Sequence, residues 1–425
     1  MKITGIWSNP PGLDPIKKKN FANVQGDAIG VGLGNAAVPF LPVFLTRLGA
    51  SPIEIGLLTS MPAMAGLLLA IPLAEFLQNQ RNIIPWYSLA RLSALLCYGL
   101  TGVLAFFLRG QPLIIGILIV WAIATLPQAV LNITFSVIMN AVSGPRLRFD
   151  LMMRRWSILG LVTAVMVMLT GQILEAVRFP LNYEIAFLIL SLGGFISYYF
   201  SSRIYLGDIQ SHHHGPRLKM GDQFREYARL VRREKPFQAF VIRRFVVLSG
   251  SALILPIFPL YLVRVVHASD AWIATINTVQ TAIVILGYFF WTNQSRHRGT
   301  RPVLLWTTFG IAFYPILTAF TQNVVLITIL AGIYGIFLAG LNLVFFDELM
   351  KTVPPEYSST FVALAQGIQY FSSILAPIVG TLISDQIGLP AALITGGALQ
   401  LAGFAMFFFG KPASAMARSR QVIEE

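Results

Sequence analysis

The stretch Pro39-Phe-Leu-Pro42-Val-Phe-Leu45-Thr-Arg47 recurs as Pro256-Ile-Phe-Pro259-Leu-Tyr-Leu262-Val-Arg264. Both prolines, the seventh-place leucine and the closing arginine keep their places, and the copies lie 217 residues apart in a chain of 425. Each copy sits inside an apolar run. Each is followed by a short turn, Gly49-Ala-Ser-Pro52 in the first and His267-Ala-Ser-Asp270 in the second. The chain therefore reads as a duplication about its midpoint.

The composition says what is duplicated. Hydrophobic residues make up 56% and charged residues 12%, against about 25% charged in soluble domains. Apolar runs return along the whole length, each long enough to cross about 30 Å of hydrocarbon as a helix. They are continuous and do not alternate apolar with polar, which excludes a β-barrel. The fold class is all-α polytopic membrane protein. Twelve spans are expected, near 21–46, 55–78, 83–108, 112–140, 156–177, 183–205, 237–264, 271–293, 302–320, 323–348, 359–384 and 389–410. The residues around Trp7, Pro10, Pro11 and Lys17-Lys18-Lys19 lack the apolar core of a signal peptide, so the first span is expected to be retained.

Charge sets the orientation. Of the 31 Lys and Arg residues, 26 fall on one face, four (Arg47, Arg109, Arg178, Arg264) on the other, and Arg91 lies inside a span. That bias puts both termini in the cytoplasm of a cell whose cytoplasmic membrane holds the protein. The net charge of +13 is then an orientation signal, and no nucleic-acid partner is expected. The expected domains are 1–206, a linker at 207–236, 237–410 and a tail at 411–425. In the linker, Asp222 is an N-cap for a short helix with Phe224, Tyr227 and Val231 on one face, as in a helix lying on lipid headgroups. His212-His213-His214 reads as a solvated loop. The lone Cys97 falls in an apolar span as a small buried side chain, and neither metal nor cofactor is expected.

Membrane helices duplicated about a midpoint are the plan of a secondary transporter with two like-oriented halves. Local motifs agree. Arg296-His-Arg298-Gly299-Thr-Arg301-Pro302 resembles the Gly/Arg-rich turn between the second and third spans of each half in the major facilitator superfamily. Leu73-Ala74-Glu75 resembles the start of that motif in the first half, with Glu75 where the family usually has Asp; Phe76, Gln78 and Asn79 depart from it. Pro354-Pro355-Glu356 and Ala376-Pro377-Ile378-Val379-Gly380 resemble the family's tenth-to-eleventh-span region. The resemblance covers nearly the whole length. It implies two pseudo-symmetric six-helix halves, alternating access and a substrate site between the halves. It also implies gating roles for Glu75, Arg298 and Arg301. The Gly-Pro motif of the fifth span, common in exporters that exchange drug for proton, is absent: Gly160 to Gly171 contains no proline.

Candidate site residues follow from the cost of polar groups in hydrocarbon. Asp27 lies about 12 Å into the first helix if that helix starts near Lys19. A carboxylate at a helix centre costs roughly 2.5–3.5 kcal/mol on insertion scales. Asp27 must face a cavity, find a partner or take up a proton, which makes it the proton-coupling candidate. In the register of the repeat its counterpart is Arg244, beside Arg243. Asp27 and Arg244 are expected to pair, or one of them to bind substrate charge, in one conformation of the cycle, with Arg243 as a second candidate for either role. Asn35, Gln128, Asn132, Asn277, Gln280, Asn342, Gln366, Gln369 and Tyr370 lie within spans at helical spacings and are candidates for the substrate cavity. Gly26, Gly30 and Gly34 form a small-residue ladder for close helix approach. Asp347 and Glu348 pair with Lys351 at a helix end, and Glu175, Glu184 and Asp385 are expected to be solvated at outer ends.

The function that fits is secondary active transport of a small organic solute, coupled to protons, by a protein acting as a monomer among membrane lipids. The alternatives are an uncoupled facilitator and a non-transporting receptor or assembly factor on the same scaffold. A membrane enzyme is disfavoured, because all five histidines fall in loops and no nucleophile–base constellation appears.

Overall fold

The twin proline strings break their helices at the same place. In the computed structural model, α1 (Pro15–Asn35) ends in a turn at 36–39 and the chain restarts as α2 (Phe40–Arg47). In the second half, α7 (Lys235–Ile254) is followed by α8 (Ile257–Arg264). Both bounds of α8 lie 217 residues beyond those of α2, and each helix has 8 residues. The cause is local. Pro39 and Pro256 have no N–H to give the preceding turn. Around the first break the backbone settles for i→i−3 bonds, Ala37 to Gly34 at 3.1 Å and Val38 to Asn35 at 3.0 Å.

The structure describes residues 14–78, 80–206, 234–352 and 358–410. Every helix or strand assigned among them is a helix. After α2 come α3 (Pro52–Gln78), α4 (Ile84–Phe107), α5 (Gly110–Ala176) and α6 (Leu181–Ser201). After α8 come α9 (Asp270–Arg298), α10 (Thr300–Gly310), α11 (Phe313–Thr318), α12 (Val324–Thr352), α13 (Ser358–Gln386) and α14 (Leu389–Phe409). The expected linker helix, His212–His214, Pro354–Glu356 and the tail lie outside the described residues.

Eleven helices among the described residues are long and apolar enough to cross a membrane. The chain is an all-α polytopic membrane protein. Two of its spans are joined within α5, where Gly144 at φ 63° and ψ 177° turns the chain between Gly110–Gly144 and Leu151–Ala176. A side chain would strain that left-handed backbone; glycine takes it freely. The span expected at 302–320 departs from the sequence reading. It is two short helices, α10 and α11, parted where Ala312 bonds back to Phe309 at 3.3 Å. Pro315, without an N–H, sits in the first turn of α11, where that loss costs least.

Two compact units result: Met1–His212 with Ala268–Thr278, and His213–His267 with Val279–Glu425. In the first, α1 packs on α4, α5 and α6. Its inner core is Phe21, Val24, Tyr87, Ile138 and Leu151. Gly30 of α1 meets the backbone of Ser197 and Gly193 on α6, so the two helices touch backbone to backbone. In the second unit, α7 and α14 meet the same way at Gly250 and Gly396, beside a core that includes Phe240, Phe345 and Phe407. Large apolar side chains such as Phe107, Phe289 and Phe346 are exposed, as helices in contact with lipid allow.

Candidate functional site

Asp27 is wholly buried, at 0% exposure. Asn20, Asn23, Asp27 and Gly30 recur at helical spacing along one face of α1. Asn20 and Asn23 donate to the carbonyls of Tyr205 and Arg203 just after α6, at 2.6 and 2.8 Å. One turn on, Ser197 Oγ donates to Asp27 Oδ1 at 2.5 Å. The glycine contact at Gly30 makes this bond possible, because it brings the α6 backbone within reach of a short serine side chain.

The other oxygen faces α4. Tyr87 donates its hydroxyl to Asp27 Oδ2 at 3.3 Å and accepts from Arg91 Nη2 at 3.2 Å. Tyr87 and Arg91 are four apart on one helix and stand one above the other. Two guanidiniums flank the carboxylate, Arg91 Nε at 3.8 Å from Oδ1 and Arg155 Nη2 at 3.6 Å from Oδ2. Arg155 is 1% exposed. It reaches Asp27 from the part of α5 that follows Gly144, and its guanidinium lies 4.6 Å from the Phe135 ring centroid and 5.3 Å from that of Trp156.

The partners that the structure gives Asp27, namely Arg91, Arg155, Tyr87 and Ser197, all lie on the helices of its own unit. Arg244 instead donates to Gln369 Oε1 at 2.6 Å and lies 5.9 Å from the Phe345 ring centroid. Arg243 stands 5.9 Å from the Phe407 ring centroid. Ion-pair partners are chosen by helix packing within a bundle, which a register between repeats does not encode. In the sequence Arg155 falls with the basic residues of the inner face, and Arg91 lies inside a span. Tyr87 and Ser197 carry no mark in the sequence.

The remaining candidates differ in burial and partners. Gln128, Asn35, Gln280 and Tyr370 are half-buried, and Asn132 and Gln366 are exposed. Asn277 donates to its own helix, at Ile273 O, 2.8 Å. Asn342 donates to Tyr288 at 3.3 Å. Glu75, Arg298 and Arg301 are exposed. The turn that carries the two arginines is tied through Thr300, which donates to Glu348 at 2.5 Å and accepts from Lys351 at 2.6 Å. Lys351 also pairs with Asp347 at 2.6 Å and with Glu348 at 3.2 Å.

A second polar cluster of the first unit lies at the expected outer ends. Asp270, 7% exposed, accepts from Arg47 Nε at 3.0 Å and Nη2 at 2.8 Å and from Tyr183 at 2.6 Å. Arg47 also donates to Ala268 O at 3.0 Å. The arginine closing the first proline string thus holds the turn that follows the second. Glu184 is a correction: expected at a solvated end, it is 1% exposed and paired with Arg109 at 2.7 Å.

Known proteins share parts of this sequence and its fold. Residues 240–424 match the family model described as Major Facilitator Superfamily. The multidrug resistance protein MdtG of Proteus mirabilis is 23% identical over 169 residues, covering 38% of this chain and 41% of that protein. MdtG of Salmonella typhi is 26% identical over 174 residues, covering 38% and 42%. The chain thus spans about two fifths of the length of these curated relatives. Solved structures align over nearly the whole chain. A bacterial homologue of the lysosomal transporter Spinster gives a TM-score of 0.69 at 14% identity, covering 95% of this chain and 98% of that one. The nucleoside transporter NupG gives 0.65 at 15%, covering 93% and 100%. A bacterial homologue of the iron transporter ferroportin gives 0.69 at 12%, covering 92% and 98%. At these identities the likeness to solved structures is one of fold. Residues 240–424 are thus similar in sequence to the Major Facilitator Superfamily, and the fold of the chain is like that of these transporters.

Proposed function

We propose that this protein is a secondary transporter that carries a small organic solute across the cytoplasmic membrane by alternating access, with a proton at Asp27 as the coupling ion. The observation that carries the reading is the burial of Asp27 between two hydroxyl donors and two guanidiniums. An ionisable group inside a membrane span marks an ion or substrate pathway. The names of the curated relatives, multidrug resistance proteins, and the transporter titles of the structural neighbours support the same reading. The charge bias in the loops supports cytoplasmic termini.

The geometry describes what a proton would do. The ionised carboxylate accepts from Ser197 and Tyr87 and attracts both guanidiniums. The neutral acid has a hydrogen to give, so one hydroxyl must turn from donor to acceptor, which Ser and Tyr can both do. Arg91 and Arg155 then lose their counter-charge and must find new partners. One proton therefore changes the contacts among α1, α4, α5 and α6, the kind of local charge event that biases a two-state element.

Substrate-dependent proton movement in proteoliposomes tests this. Asp27→Asn is expected to abolish proton movement while leaving substrate counterflow. Proton movement unchanged by Asp27→Asn overturns the assignment; transport without proton movement in the wild type makes the protein an uncoupled facilitator.

A further inference from the structure

The charges around Asp27 do not balance. Among the described residues, Asp27 is the one carboxylate within ion-pair reach of Arg91 or Arg155. One negative charge faces two positive ones, and the cluster carries a net charge of about +1 in the interior of a membrane helix bundle. Among the described residues in hydrogen-bond or ion-pair reach of Asp27, α4 brings Tyr87 and Arg91, α5 brings Arg155, and α6 brings the neutral Ser197. Rings help but do not neutralise. Phe135 and Trp156 beside Arg155 attract its guanidinium through their ring faces but bring no negative charge to offset it.

The donors are unfilled as well. Arg91 Nε and Arg155 Nε are both buried without a hydrogen-bond partner. The carboxylate stands 3.6 and 3.8 Å from the guanidiniums, beyond good hydrogen-bond length. Arg91 spends one donor on Tyr87. Two planar forks with spare donors and surplus charge match a carboxylate or a phosphate monoester.

We infer that Arg91 and Arg155 form the binding site for an anionic group of the transported solute, which takes the place of the Asp27 carboxylate when Asp27 is protonated. The inference rests on the reading of Asp27 as the protonatable group and names the substrate class. Its logic is conservation of charge. A proton on Asp27 takes the cluster from +1 to +2, and a monoanion returns it to +1. Proton and anion loaded together leave the buried charge unchanged, so neither adds an uncompensated ion. A cationic solute would add to the surplus and is excluded on the same ground.

The test uses the purified full-length protein in detergent and reads thermal stabilisation, since a ligand of the folded state raises the unfolding midpoint. The probes are sodium formate, benzoate and methyl phosphate at constant ionic strength. Formamide and benzamide are the neutral isosteres, and benzyltrimethylammonium is the cation. At least one anion is expected to stabilise the wild type where the neutral isosteres and the cation do not. Its affinity is expected to strengthen as pH falls, by up to about tenfold per pH unit for one coupled proton. Arg155→Gln and, should that fold poorly, Arg91→Gln are expected to weaken it by about tenfold or more. Asp27→Asn is expected to keep binding and lose the pH dependence. The proposal falls if none of the anions exceeds the neutral isosteres, if the cation binds better, or if both arginine variants bind as the wild type does. Failure here, with proton movement still lost in Asp27→Asn liposomes, removes the anion and leaves the coupling. Anion binding with proton movement indifferent to Asp27→Asn does the reverse.

Discussion

Ser197 and Tyr87 do different work for one carboxylate. Ser197 makes the shorter bond, 2.5 Å, to Oδ1. Tyr87 stands between two charges, giving a hydrogen to Asp27 and taking one from Arg91. Its removal leaves both partners short in a buried site, and a buried polar group left unpaired costs about 1–3 kcal/mol. Tyr87→Phe is therefore expected to lower stability by at least as much as Ser197→Ala, read as the unfolding midpoint in detergent. A neutral Tyr87→Phe would mean that the hydroxyl is not shared. At this scale the sequence was only partly readable. Asp27 stands out because a carboxylate in an apolar run is costly wherever it points. Arg155 does not, because it lies among basic residues between two apolar runs, and folding brings it to Asp27 and to Phe135, 20 positions earlier on the other side of the Gly144 turn. Glu184 misleads for the converse reason: its place at a helix end suggested water, and Arg109, far off in sequence, covers it.

Helices in this chain are positioned by what they lack. Gly30 and Gly193 have no side chains, and this lets α1 and α6 touch. A methyl at Gly30 would meet the backbone of Ser197 and Gly193, which cannot rotate aside. Gly30→Ala is expected to cost about 1–3 kcal/mol as overpacking and to impair proton coupling, because it pushes Ser197 from Asp27. Gly116→Ala is the control. Its added carbon would find only ordinary contact, 3.5 Å from the nearest atom, and alanine favours a helix over glycine by up to about 1 kcal/mol. Equal behaviour of the two variants would show that the close approach is unimportant. The small-residue ladder and the proline breaks were legible, since both depend on residues whose backbone properties hold in any context. The split of 302–320 into α10 and α11 was not: a hydropathy pattern is blind to one backbone hydrogen bond shifting from i−4 to i−3.

Across the whole molecule, contacts divide the chain into two units whose bounds are not those of the repeat. Ala268–Thr278 follows the second proline string in sequence and packs with the first unit. Arg47 and Tyr183 hold Asp270, and Gly171 of α5 leaves room for Ala274. No periodicity announces this exchange, because it depends on which surfaces meet after folding. It has a consequence for how the protein can be divided. A gene split within the 207–233 segment would encode two polypeptides, the first lacking the eleven residues that complete its own unit. Such a first fragment is expected to be recovered in folded form only when the second is made beside it. An Asp270→Ala change in the second is expected to weaken their co-purification. Equal stability of the first fragment alone would contradict it. A chain cut at that segment is thus expected to give an obligate pair and not two independent proteins.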